Sequence, residues 1–218
     1  MLPLGQSYRR ILLDADLERL ASGLGGVVLE IGAKPVARGC WRPRRDRVRR
    51  WLRLNLEPGE RPDIVGDALA LPLRDASVDW VVCVEVLQYV VSPEGAMLEI
   101  ARVLSPGGTA VLAVPFFHRA DGPTDRHRFT EVRARELIES AGLRTLALAT
   151  QGRFFTTLAN QLRQAIAHVG SRPARWLVGA GLVPLAALLR ALDGLGPVRR
   201  SPFLSSFATG FVALARKG

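Results

Sequence analysis

Pro62 to Pro115, PDIVGDALALPLRDASVDWVVCVEVLQYVVSPEGAMLEIARVLSPGGTAVLAVP, decides the fold of this chain. Val78 to Val86 within it is almost continuously apolar and β-branched, with Asp79 and Glu85 near its ends. A strand reads this way when both faces are covered, as in a parallel sheet. Ser92 then stands as a helix cap, followed by Pro93, whose missing N–H is harmless there, and Glu94, whose charge suits the positive end of a helix dipole. Met97, Leu98, Ala101 and Leu104 recur at helical spacing, and Ser105-Pro106-Gly107-Gly108 stops the helix. Thr109 to Val114 is a second apolar strand. Strand, helix, turn and strand form a right-handed βαβ unit, which requires a parallel sheet.

Four ordered motifs in this region carry a resemblance. They are Asp67-Ala68-Leu69-Ala70-Leu71-Pro72-Leu73, Ser77-Val78-Asp79, Glu85-Val86-Leu87 and Glu99-Ile100-Ala101-Arg102-Val103-Leu104-Ser105-Pro106-Gly107-Gly108. Together they resemble the successive motifs of the class I S-adenosylmethionine-dependent methyltransferases, most closely the type 11-like branch that acts on small molecules and lipids. The likeness runs from Gly26 to Arg153 and over the last dozen residues. It implies an α/β, Rossmann-like fold: a mostly parallel seven-stranded sheet with helices on both faces. S-adenosylmethionine is the implied cofactor and S-adenosylhomocysteine the product.

A chain of 218 residues, 48% of them apolar, can bury one substantial core. A single domain is expected, divided into a leading helix (1–24), a cofactor-binding core (25–151), a hydrophobic helical insertion (152–205) and a closing strand (206–218). The net charge of +10 favours anionic partners. The basic residues are all arginine except Lys34 and Lys217, a bias that genome composition can impose without function. Cys40 and Cys83 make no disulfide framework and no Cys/His cluster has metal-ligand spacing, so a reducing, cytoplasmic setting without a metal is expected. Arg9, Arg10, Asp14 and Asp16 break the apolar pattern of the N-terminus, and no secretory signal is visible.

Tyr8 to Leu20 places Ile11, Leu12, Ala15, Leu17 and Leu20 mostly on one side of a helix, with charges opposite. Val27 to Ile31 is a short buried strand leading to Gly32. By resemblance Glu30, Gly32 and Ala33 form the first cofactor motif, where small residues bring bare backbone against the ligand. Lys34-Pro35 depart from the pattern by standing where further glycines are usual. Val36 to Arg50 carries seven arginines around Trp41 and Pro43; the plain expectation is a solvated loop leading to a short helix, the sharper one a phosphate-binding surface. Trp51 to Leu56 is the second strand, with Asn55 at the position of the ribose-binding acid and Glu57 as the alternative.

Asp67 follows a third strand, Ile64-Val65-Gly66, and by resemblance accepts from the adenine amino group while the Ala68 N–H faces the ring; capping its own turn is the rival role. Glu85 ends the fourth strand over the cofactor, and Gln88-Tyr89 replace the Glu-His often found there. Pro115 to Thr130 clusters His118, Asp125, Arg126, His127 and Arg128 among phenylalanines at the ligand-binding edge, so His118 and His127 are the candidate proton acceptors. Glu131 to Ala141 is a helix, Leu143 to Thr150 the sixth strand and Ser206 to Arg216 the last. The insertion between them is apolar, but its uninterrupted run from Trp176 is about 14 residues, short of the roughly 20 that span a bilayer. It reads as a helical cap, or as a lid or interfacial anchor giving peripheral membrane contact through residues 152–200.

The expected activity is methyl transfer to a small-molecule or lipid-like acceptor. An RNA or DNA methyltransferase is the first rival, suggested by the arginines and disfavoured for base amino groups because Cys83-Val84-Glu85-Val86 stands where an Asn/Asp-Pro-Pro-aromatic turn would be. A degenerate cofactor-binding or partner module without catalysis is the second, suggested by Lys34, Pro35, Asn55 and Gln88.

Overall fold

The structure, a computed structural model, describes residues 6–35 and 39–218, with backbone alone for 172–175. Val36 and Arg38 of the arginine-rich stretch lie outside the described residues. Seven strands form one sheet: β1 (Gly26–Ile31), β2 (Val48–Asn55), β3 (Ile64–Val65), β4 (Val78–Val84), β5 (Leu104–Pro115), β6 (Leu143–Thr150) and β7 (Gly210–Lys217). Their order is β3-β2-β1-β4-β5-β7-β6. Pairing is parallel from β3 to β5, while β7 runs antiparallel to both β5 and β6.

Side-chain alternation divides the sheet into two cores. Val81 and Cys83 of β4, with Leu29 and Ile31 of β1 and Leu112 and Val114 of β5, face α2 (Pro93–Val103) and α3 (Glu131–Ser140). Val82, Val28, Val111 and Val212 face the opposite way, where Leu13, Leu17 and Leu20 of α1 (Tyr8–Leu20) cover them. Both faces of β4 are therefore buried, which is why it lacks polar alternation. Trp41, Trp51 and Trp80 pack at the margin of the second core.

Two local expectations change. No residue from Gly39 to Arg50 is helical: β2 begins at Val48, so Arg49 and Arg50 lie in the strand. With Gly26 N donating to Arg47 O at 2.9 Å, pairing with β1 supplies the backbone partners that a segment without an apolar stripe could not secure as a helix. The Ser105-Pro106-Gly107-Gly108 turn is absorbed into β5, because Leu104 already pairs with Val78 before the register shifts to Trp80 and Thr109.

Between β6 and β7 lie α4 (Phe154–Ala167), α5 (Arg172–Leu192), α6 (Gly196–Arg200) and α7 (Pro202–Ser205). α5 continues through Pro184, and no helix among the described residues is long and apolar enough to cross a membrane. Tyr8, Ala159 and Ala186 bury together where α1, α4 and α5 meet. Arg153 at the N-cap of α4 makes no side-chain cap. Asp193, just past α5, supplies it instead, accepting from the N–H groups of Arg153, Phe155 and Thr156 at 2.9, 3.1 and 2.9 Å. Asp193 is itself buried. At the other end of the sheet Lys217 Nζ donates to Ala101 O and Leu104 O at 2.6 and 2.7 Å, placing a cation at the C-terminus of α2. Replacing Asp193 by Ala leaves three helix-terminal donors unmet and is expected to lower stability by about 2 kcal/mol in urea unfolding, while Asp193→Asn loses less.

Candidate active site

Strand connections reverse direction between β1 and β4, and open α/β sheets bind ligands above the carboxyl ends at such a point. β1 delivers Glu30, Gly32 and Ala33 there. Gly32 has φ +73°, and an added Cβ would collide with Val86 Cγ2. The turn is closed by Gly32 N and Ala33 N, which donate to Leu54 O at 2.8 and 3.1 Å. Glu30 accepts from Trp51 Nε1 at 2.8 Å, which fixes its carboxylate against β2. Lys34 reaches Glu60 Oε1 at 2.8 Å, beyond the end of β2, and Pro35 is exposed.

Asn55 is buried, and its amide is engaged within the fold. It donates to Ala33 O at 2.7 Å and accepts from Glu57 N at 3.0 Å. It therefore joins the β1 turn to the segment after β2, and Glu57 stands exposed beside it. After β3, Asp67 is exposed with Oδ1 accepting from Leu69 N at 3.0 Å, so it does cap its own turn; Ala68 is buried.

Glu85 leaves β4 with φ +59°, a backbone conformation that costs a non-glycine residue on the order of 1 kcal/mol or more. Its carboxylate pairs with Arg9. Arg9 is buried despite its place among the helix charges, and its guanidinium also donates to Gln151 Oε1 at 3.2 Å and Thr209 O at 2.7 Å. Arg9 and Glu85 open onto a cavity of about 350 Å³ bounded by α1, the end of β4, the segment after β5 and α4. His118, Gln88, Asp121 and Arg163 line it too.

The segment after β5 is held by a bidentate pair between Arg128 and Asp125, 2.6 and 2.5 Å, with further Arg128 bonds to the carbonyls of His118, Arg119 and His127. That Arg128 hydrogen bond keeps the Asp125 carboxyl below its ordinary range. Asp121 is likewise lowered: burial opposes the charge, but the Tyr89 hydroxyl, which donates at 3.0 Å, and Arg119 outweigh it. Burial pushes His118 down to about 4, aided by the charges of Arg9, Arg128 and Arg119. His127 is placed elsewhere, with Nε2 3.0 Å from Val90 O and its ring against Phe129, and it does not line the cavity. Cys83 is fully buried, and that burial pushes its thiol up to about 12, as an unreactive core residue.

The structure thus brings Glu30, Gly32, Ala33 and Asn55 together at the β1 turn, places Asp67 and Ala68 after β3, and sets Glu85 with His118 at a separate polar cavity. Sequence reading missed Arg9, Asp121, Arg163 and Gln164 as members of that cavity. The nearest signal was a pair of arginines at the start of an amphipathic helix. Among the described residues no group of His, Cys, Asp and Glu could hold a metal ion.

Residues 45–112 match the family model of a methyltransferase domain. An 80-residue stretch, 35% of this chain, is 44% identical to demethylmenaquinone methyltransferase of Renibacterium salmoninarum and covers 33% of that protein. The chain spans a third or less of the length of the curated relatives it matches. Among solved structures, phosphoethanolamine N-methyltransferase 2 of Haemonchus contortus in complex with S-adenosylmethionine has a TM-score of 0.58 at 13% identity, over 94% of this chain and 52% of that one. The cyclase SpnF also has a TM-score of 0.58, at 20% identity, over 96% of this chain and 81% of that one. Residues 45–112 are thus similar to a methyltransferase domain, and the chain has the fold of solved S-adenosylmethionine-dependent methyltransferases.

The residues present fit that cofactor. Gly32 packs bare backbone against Val86 where a Cβ has no room, Ala33 is small, and the exposed carboxylates of Glu57 and Asp67 follow β2 and β3. The Lys34–Glu60 pair crosses the end of β2 at the surface and is worth about 1 kcal/mol or less, so it yields readily to a ligand. Because the folded-state pKa of His118 lies below its ordinary 6.5, its contribution to stability is present above about pH 6.5 and is lost as pH falls toward 4. An NMR titration should show the His118 ring neutral until about pH 4, well below the transition of a histidine in water.

Proposed function

We propose that this protein transfers the methyl group of S-adenosylmethionine to a nucleophile on a small polar acceptor. One observation carries the reading: the backbone-lined turn at Gly32 abuts Val86, and the next residue back, Glu85, opens the polar cavity. Donor and acceptor sites are then neighbours at the carboxyl ends of β1 and β4. When bound, the cofactor supplies an electrophilic methyl carbon on a positively charged sulfur.

The chain's part is to bind, orient and exclude water, which is what this chemistry requires. Gly32 and Ala33 would hold the cofactor's amino-acid portion. Glu57, positioned by Asn55, would accept from the ribose hydroxyls, and Asp67 from the adenine amino group beside the Ala68 N–H. Glu30, fixed by Trp51, keeps the turn in shape. Glu85 and Arg9 form the boundary between the two sites. If the acceptor atom is a hydroxyl oxygen, His118, kept neutral by burial and the neighbouring arginines, would accept a hydrogen bond from it, and the proton released on transfer would go to solvent.

The polar lining supports a small polar acceptor more than a hydrocarbon chain. Calorimetry should show binding of both S-adenosylmethionine and S-adenosylhomocysteine, with Asp67→Asn or Glu57→Gln about tenfold weaker, as loss of a charge-assisted hydrogen bond implies. Gly32→Val should abolish binding. A wild-type protein that takes neither nucleoside would favour the non-catalytic module.

The apolar insertion supports a second, compatible feature. α5 exposes Trp176, Leu177 and Leu188, and nearby in sequence Leu195 and Phe203 are exposed beside Arg199 and Arg200. We propose that this surface rests on an anionic membrane, with rings and leucines at the interface and arginines at the phosphates. Flotation with phosphatidylglycerol vesicles is expected to carry the protein, and the Trp176→Ser, Leu177→Ser variant to remain below. Equal behaviour of the two proteins refutes the contact.

A further inference from the structure

Three residues that line the polar cavity each hold a buried side-chain atom without a hydrogen-bond partner: Gln88 Oε1, His118 Nδ1 and Gln164 Nε2. They come from the end of β4, the segment after β5, and α4, so their convergence is a property of the folded chain. Gln88 is only 3% exposed. A buried polar atom left unmet costs about 1–3 kcal/mol, and a polar molecule in the cavity can answer these three once their side chains turn toward it.

Charge narrows what that molecule is. Arg9, Arg10, Arg119 and Arg163 line the cavity against two carboxylates, Glu85 and Asp121. Both carboxylates are already answered, Glu85 by Arg9 and Asp121 by Arg119 at 2.8 Å and Tyr89 at 3.0 Å. Asp14, 4.0 Å from Arg10, is the other acid facing these arginines from α1. Positive charge remains in excess among the lining residues, which favours an anion.

We infer that the cavity selects an acceptor bearing an oxyanion, a carboxylate or phosphate, and offering an O–H or N–H beside it. The Gln164 amide donates to the oxyanion within the arginine field, and Gln88 Oε1 accepts from the acceptor's own hydrogen near His118. Because Gln164 lies on α4, the segment between β6 and β7 becomes the element that chooses the acceptor. This inference rests on the methyl-transfer reading and names the substrate class of that same site.

The test titrates the full chain, saturated with S-adenosylhomocysteine, with 4-hydroxybenzoate, 4-hydroxyphenyl phosphate, the neutral 4-hydroxybenzamide and choline. One or both anions should bind at least tenfold more tightly than the amide or choline, and their binding should shift the His118 ring resonances. Gln164→Leu and Gln88→Leu should each weaken the anion about five- to tenfold while leaving the affinity for S-adenosylhomocysteine unchanged. Amide or choline binding equal to the anions, or an anion affinity indifferent to both variants, overturns the inference. If S-adenosylhomocysteine binds and no anion does, the anion site falls alone. If the anions bind but the nucleoside does not, the methyl-transfer reading falls and the anion site stands.

Discussion

The Arg9 guanidinium is the contact on which the rest of this structure depends. It joins α1 to Glu85 at the end of β4, to Gln151 after β6 and to Thr209 before β7, while its backbone N–H donates to Asn160 of α4 at 3.1 Å. Gly210 lies so close to the guanidinium that a Cβ there would collide with it. A buried arginine is tolerable only when its donors are met, and here a carboxylate, an amide and a carbonyl meet them. The same pair that ties the first helix to the end of the central strand β4 also forms one wall of the proposed acceptor site.

The two halves of the candidate site were unequally legible. The strands β1, β4 and β5 and the helix between the last two could be read because burial on both faces leaves a continuous apolar run, and because Ser92, Pro93 and Glu94 mark a helix start. The proposed donor side takes Glu30 and Gly32 from the end of β1 and Asp67 from the turn after β3, positions accessible to spacing and resemblance. Asn55 shows the limit: its position was plain, but its bonds to Ala33 and Glu57 arise from how two turns meet.

The proposed acceptor side could not be read in the same way. Arg9, Gln88, His118 and Gln164 are drawn from an early helix, a strand end, a loop and a late helix, and no local pattern marks residues gathered over such distances. His118 and His127 looked equivalent in sequence, yet one faces the cavity and the other bonds the Val90 carbonyl. The arginine-rich stretch failed for the opposite reason. Local composition offered no strand signal at Arg49 and Arg50, and the partner that imposes one is β1.

Asp193 fastens the segment from Phe154 onward to itself, beside the contacts that α1 makes with α4. The start of α4 is capped by the residue that follows α5, so the two helices close on each other as a clasp whose ends both lie at the rim of the sheet. Such a clasp can be exchanged for another of different lining without unpairing a single strand. Under the proposed reading, such a fold acquires new acceptors by replacing one fastened helical pair while the turn at Gly32 stays untouched.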